Sequence, residues 1–97
     1  MKLRFTPRAI ANIAEIADYI RKRNPSAARR VRASIYDSLQ NLILFPLIGR
    51  QQKEPGVRKH VTPRYAYLVY YTIDEVEEEI IILSVKHSAQ KREHDDA

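Results

Sequence analysis

Two strand-like runs near the C-terminus, RYAYLVYYTI at residues 64–73 and EIIILSVKH at 79–87, are apolar on both of their faces. Side chains alternate across a strand with a period of two, so Leu68 and Tyr70 oppose Tyr65, Tyr67, Val69 and Tyr71. By the same rule Ile80 and Ile82 oppose Ile81, Leu83 and Val85. A sheet built from these runs has two apolar faces, and proteins rarely leave such faces bare over a large area. The other elements of the chain must cover at least one of them.

Two helices are available for that task. Thr6-Pro7 and Asn24-Pro25 each pair an N-cap oxygen with a proline at the first helical position. After the first, Ile10, Ile13, Ala14, Ala17 and Ile20 recur at three- and four-residue steps; after the second, Ala28, Val31, Ile35, Leu39 and Leu42 do the same until Pro46 stops the helix. The tight turn between them implies an antiparallel pair. Before them KLRF reads as a short strand, and after them LIGRQQKEPG reads as a loop that leads into VRKHV and the two apolar runs. The expected fold class is therefore α+β. An N-terminal strand, two antiparallel helices and a three-strand antiparallel meander form one small sheet, with both helices on one face. Residues 1–97 read as a single domain in which 88–97 is a polar tail. The pair of helices leaves the second sheet face for a protein partner.

At 97 residues the chain can bury about 65% of its unfolded surface without disulfides. Cysteine is absent, which excludes thiolate catalysis and cysteine zinc sites and fits a reducing cytoplasm. No run is apolar enough to span a bilayer, so no membrane partner is expected. Residues 1–64 hold 14 Lys/Arg against 4 Asp/Glu, and residues 65–97 hold 3 against 8. The basic part can attract a polyanion or an acidic protein, and charge alone does not choose between them.

Five segments in order, NPSAARRV, FPLIGR, GVRKHV, YAYLVYYTI and ILSVKH, resemble the RelE/ParE superfamily of bacterial type II toxin–antitoxin toxins. The resemblance covers nearly the whole chain. It implies a toxin neutralised by a cognate antitoxin that occupies the uncovered sheet face, with Tyr65, Tyr67, Val69 and Tyr71 as the antitoxin-binding candidates in a toxin–antitoxin hetero-oligomer. Two mechanisms occur in that superfamily. ParE-like members inhibit DNA gyrase by binding; RelE-like members cut messenger RNA on the ribosome. RNA cleavage through a ribose 2′-hydroxyl needs a base, an acid and cations for the developing phosphorane charge. The residues that could supply them are Arg58, Lys59, Arg64 and His87. Where RNA-cutting relatives keep an arginine on the third strand this chain has Tyr67, and Ser88 and Ala89 follow His87 where a tyrosine is usual. The expectation is a ParE-like gyrase inhibitor without a catalytic set. A RelE-like ribonuclease is the alternative, and a non-toxic interaction module a further one.

Several residues admit a structural and a functional reading. His60 and His87 titrate near neutrality and could act as acid and base, or simply end their strands. Glu54 is the one acid near the sheet before residue 74. Arg50 could meet an internal acid or a target, and Arg29, Arg30 and Arg32 could be a solvated helix face or a docking surface. Gly49 is expected to take a left-handed conformation just past the second helix. His94 lies in the polar tail with no second histidine at ligand spacing, so neither a metal nor a cofactor is expected. Stacking of RNA bases on the tyrosines is disfavoured by element order, since RRM domains do not place two helices in succession.

Overall fold

The computed structural model describes residues 1–87, so the expected tail at 88–97 and His94 lie outside the described residues. The elements are β1 (Lys2–Phe5), α1 (Pro7–Arg21), α2 (Pro25–Leu44), β2 (Arg50–Gln51), β3 (Arg58–Val61), β4 (Tyr67–Asp74) and β5 (Glu79–His87). They form one sheet in the order β1-β5-β4-β3-β2. The meander β3-β4-β5 is antiparallel, as its short connections require, and β1 adds to β5 in parallel. The segment read as loop contributes the two-residue strand β2, which pairs with β3.

Both helices start where the sequence signals place them. Thr6 Oγ1 accepts from the Ala9 N–H at 3.1 Å, and Asn24 Oδ1 accepts from the Ala27 N–H at 3.2 Å. Helix α2 buries the expected Ala28, Val31, Ile35, Leu39 and Leu42. Helix α1 is rotated from the expected stripe. It buries Ala9, Ile13 and Ala17 and half-buries Ile16 and Ile20, while Ile10 and Ala14 face outward.

The core lies between the helices and one face of the sheet, where Tyr67, Val69, Tyr71, Ile80, Ile82 and Val85 meet Ile13, Val31, Ile35 and Leu39. This corrects the expected antitoxin face. Tyr67, Val69 and Tyr71 are covered by the helices of their own chain, with Val69 and Tyr71 fully enclosed. Tyr65 lies outside β4, in a turn with a positive φ of 64° followed by Ala66 at 50°. Two successive non-glycine residues in that region are strained by about 1–2 kcal/mol each. Thr62 holds the turn: its hydroxyl donates to the Arg64 carbonyl at 2.7 Å and accepts from the Tyr67 N–H at 3.0 Å.

A bulge on β5 explains why Val85 joins Ile80 and Ile82, against simple alternation. Tyr70 pairs with Ser84 and Tyr71 with Ile82, so Leu83 is the extra residue and the strand changes phase there. Helix α1 takes up the ladder groups beside it. Thr6 Oγ1 donates to the Leu83 carbonyl at 2.8 Å, and Asn12 Oδ1 accepts from the Val85 N–H at 3.0 Å. On the opposite sheet face Val57 closes over Leu68 and Tyr70 beside Leu83, so that face is not the bare tyrosine surface expected. No helix among the described residues is long and apolar enough to cross a membrane.

Candidate functional site

Tyr71 fastens the turn between α2 and β2. Its hydroxyl donates to the Pro46 carbonyl at 2.7 Å and accepts from the Gly49 N–H at 2.8 Å. Arg58, paired across the ladder with Tyr71, donates from Nη1 to the Gly49 carbonyl at 2.7 Å and to the Leu47 carbonyl at 3.3 Å. Burial pushes the Tyr71 phenol above its ordinary range, and the Gly49 N–H and the Arg58 charge partly oppose that rise. Gly49 does not take the left-handed conformation expected of it; of the two glycines it is Gly56 that does, at a φ of 79°. Glycine is needed at 49 because a Cβ there would lie 2.5 Å from the Tyr71 hydroxyl oxygen.

Four residues away on the same face, Tyr67 lines a groove of about 580 Å³ between α1 and the adjoining ends of β4 and β5. Ile16, Tyr19 and Ile20 form its helical wall, and Val85 and His87 its floor with Tyr67. The Tyr67 and His87 rings meet edge to face at 5.4 Å. Burial, with a smaller contribution from Tyr65, raises the Tyr67 phenol above its usual range. Tyr19 stands exposed at the rim with the Arg23 guanidinium over its ring at 3.9 Å. Asn12 and Glu15 also line the groove, so an apolar strip of Ile16, Ile20 and Val85 is flanked by polar groups, an arrangement that fits an amphipathic protein segment.

The expected ribonuclease residues do not converge. Arg58 is engaged by the turn carbonyls, and Lys59, the next residue on β3, is directed to the opposite face. Arg64 stands exposed in the β3–β4 turn. His87 is level with Tyr67 while Arg58 is level with Tyr71, a separation of about 13 Å along β4. His60 lies between them opposite Val69; burial lowers its pKa, and its Nε2 finds no hydrogen-bond partner among the described residues. Glu54 lies exposed in the β2–β3 loop, and Arg29, Arg30 and Arg32 are exposed on α2. No group of three His, Cys, Asp or Glu among the described residues could hold a metal ion.

Sequence periodicity missed a second surface. Leu44, Phe45, Leu47 and Ile48 are 70%, 61%, 67% and 52% exposed around Pro46. The available signal was an apolar run continuing past a helix stop with no repeat that would bury it.

Comparison with known proteins places this geometry. Residues 3–92 match the family described as "ParE toxin of type II toxin-antitoxin system, parDE". A protein of Sinorhizobium fredii (strain NBRC 101917 / NGR234), named "Putative toxin Y4kP", is 33% identical over 90 residues, covering 93% of this chain and 91% of that protein. Among solved structures, a chain of the chromosomal ParDE toxin–antitoxin system from P. aeruginosa superposes with a TM-score of 0.78 at 24% identity, over 90% of this chain and 95% of that one. A chain of the intact E. coli RelBE toxin–antitoxin complex superposes with a TM-score of 0.69 at 16% identity, over 92% and 98%. These two structural likenesses concern the fold.

Proposed function

The chain belongs to the ParE toxin family of type II toxin–antitoxin systems, and from that premise we propose that it acts by binding, as a cytoplasmic inhibitor of DNA gyrase held in check by a cognate antitoxin. The observation that carries this reading is the employment of Arg58. A ribonuclease must bring a base, an acid and cations to one phosphate. Here the best-placed cation holds the α2–β2 turn, Lys59 is on the other face, and His87 packs on Tyr67, four residues along β4 from the level of Arg58. A surface without converging acid–base groups supports inhibition by contact.

The groove beside Tyr67 is the antitoxin's docking place in this reading. An amphipathic antitoxin segment would set an apolar side chain between Ile16, Ile20 and Tyr67, with Tyr19 at the rim. Solved relatives come from ParDE and RelBE toxin–antitoxin systems, which favours such a partner. The test is a supercoiling assay with purified gyrase. Inhibition that the antitoxin relieves is expected. Full supercoiling in excess toxin, together with ribosome-dependent message cleavage that is lost in His87→Ala and Arg58→Ala, would replace the reading with a ribonuclease.

A further inference from the structure

The groove beside Tyr67 holds polar groups that a purely apolar occupant would strand. Tyr67 is 5% exposed, and its hydroxyl bonds no group among the described residues. Burial keeps this phenol protonated at neutral pH, so it offers one donor and an acceptor oxygen. Across the groove, Asn12, Glu15, Ile16, Tyr19 and Ile20 follow one another at helical spacing on the face of α1 that forms the wall. Glu15 carries the only formal charge among the described lining residues, His87 aside. No cation stands one turn away from it on α1: three and four residues off are Ala11, Asn12, Asp18 and Tyr19, and Asp18 is paired with Arg21. The cations of adjoining elements are placed elsewhere. Arg23 lies over the Tyr19 ring and donates to the Tyr19 carbonyl at 3.2 Å, about two turns beyond Glu15. Lys86 is level with Leu68 on the opposite sheet face, and Arg64 stands exposed in the β3–β4 turn.

The field of the whole chain and the charge of the groove therefore have opposite signs. With a net charge of +5 the protein attracts acidic partners from a distance. Inside the groove a carboxylate and a phenol flank Ile16, Ile20 and Val85. An acidic side chain or a phosphate brought there would be repelled by Glu15, and an aliphatic side chain alone would leave the phenol and the carboxylate dehydrated without partners. An arginine meets each feature. Its stem covers the apolar strip, while its guanidinium N–H donors serve the Glu15 carboxylate and the Tyr67 oxygen. Lysine brings the same charge but gathers its donors at one point, and a groove with tyrosines at floor and rim favours the planar head.

We propose that the antitoxin segment seated in this groove carries an arginine, set beside its apolar anchor, whose guanidinium pairs with Glu15 and the Tyr67 hydroxyl. The inference rests on the reading of the groove as the antitoxin's docking place. Double-mutant cycles in antitoxin affinity test it, with Glu15→Gln, Glu15→Lys and Tyr67→Phe in the full-length toxin crossed against single alanine replacements of each arginine and lysine of the antitoxin. Glu15 is exposed and Tyr67→Phe keeps the ring, so melting should stay at wild-type values. Glu15→Gln is expected to weaken binding on the order of 10-fold, Tyr67→Phe less and Glu15→Lys more. One arginine-to-alanine change in the antitoxin should cost the wild-type toxin the same factor and leave the Glu15→Gln toxin unaffected. Changing that arginine to glutamate should restore binding to the Glu15→Lys toxin.

Wild-type affinity in Glu15→Lys would overturn the proposal, and tighter binding there would reverse its sign, since the segment would then be acidic. Additive losses for every antitoxin arginine, or coupling confined to a lysine, would remove the arginine. A toxin carrying Ile16→Ala and Tyr19→Ala together separates this proposal from the reading beneath it. If that variant loses affinity while the cycles show no coupling, the arginine alone falls. If it binds as wild type does, the groove is not the antitoxin's place and both fall. A free toxin that dimerises, and comes apart in Glu15→Lys, would give the groove to a second copy. Affinity that rises when Lys91 and Arg92 are both changed to alanine would give Glu15 to the chain's own C-terminal segment; either outcome overturns the proposal.

Discussion

Tyr67 and Tyr71 stand on one strand, on one face, four residues apart, and have opposite employment. The Tyr71 hydroxyl is enclosed and ties the backbone of a distant turn, so its ring acts as a strut for the surface above it. The Tyr67 hydroxyl bonds no group among the described residues, and its ring faces His87 along an open groove. The difference follows from what the chain brings above each ring. Over Tyr71 lie backbone groups of a turn that need partners; beside Tyr67 lies the side of α1, whose backbone is already satisfied within the helix. One end of the sheet is thereby rigid and presents apolar side chains outward, while the other is receptive.

The contrast breaks most severely if the strut is displaced. Gly49→Ala would place a Cβ 2.5 Å from the Tyr71 oxygen and 2.6 Å from a ring carbon. The ring must move, and overpacking together with two orphaned backbone groups is expected to cost about 2–4 kcal/mol in denaturant unfolding. Removing only the hydroxyls gives the sharpest comparison. Tyr71→Phe should cost about 2–3 kcal/mol, because the Pro46 carbonyl and the Gly49 N–H lose their partner. Tyr67→Phe should stay within about 0.5 kcal/mol of wild type; equal losses in the two variants would refute the division of roles.

Asn12→Ala tests the receptive end from the helix side. It strips the Val85 N–H of its acceptor beside the bulge, with an expected loss of about 1–2 kcal/mol and faster amide exchange at Val85. The smallest effect concerns His60, midway between the two tyrosines. Its folded pKa is lowered by burial, so the unfolded chain binds the proton more readily. Stability from the neutral ring is therefore full above the unfolded value of 6.5 and is lost as pH falls from there through the folded pKa. A series of unfolding measurements below neutrality should show this loss, and His60→Asn should flatten it; an unchanged slope would place the titration elsewhere.

Much of the architecture was legible in the sequence because its causes are local. Cap residues followed by proline fixed both helix starts, the period of α2 fixed its buried stripe, and the two-residue alternation marked the strands. The order of these elements carried the family. The sites were less legible. Arg58 read as a catalytic cation because nothing near it in sequence reveals that the Leu47 and Gly49 carbonyls will reach it. Gly49 read as a helix terminator for the same reason, since the ring that forbids a side chain there comes from Tyr71, 22 residues on.

By itself, then, the sequence determined every element but the two-residue β2, their order and the toxin family, all of which follow from contacts between near neighbours or from the pattern as a whole. Tertiary structure decided which face of β4 lies beneath the helices. Period-two alternation separates two faces but cannot say which is covered when both are apolar, and the bulge at Leu83 then resets the phase of β5 so that Val85 joins the core. That choice enclosed Val69 and Tyr71, left Tyr67 at a groove, and moved the exposed apolar surface to the turn at Leu44–Ile48. It was settled by packing between residues far apart in the chain, which no local pattern records.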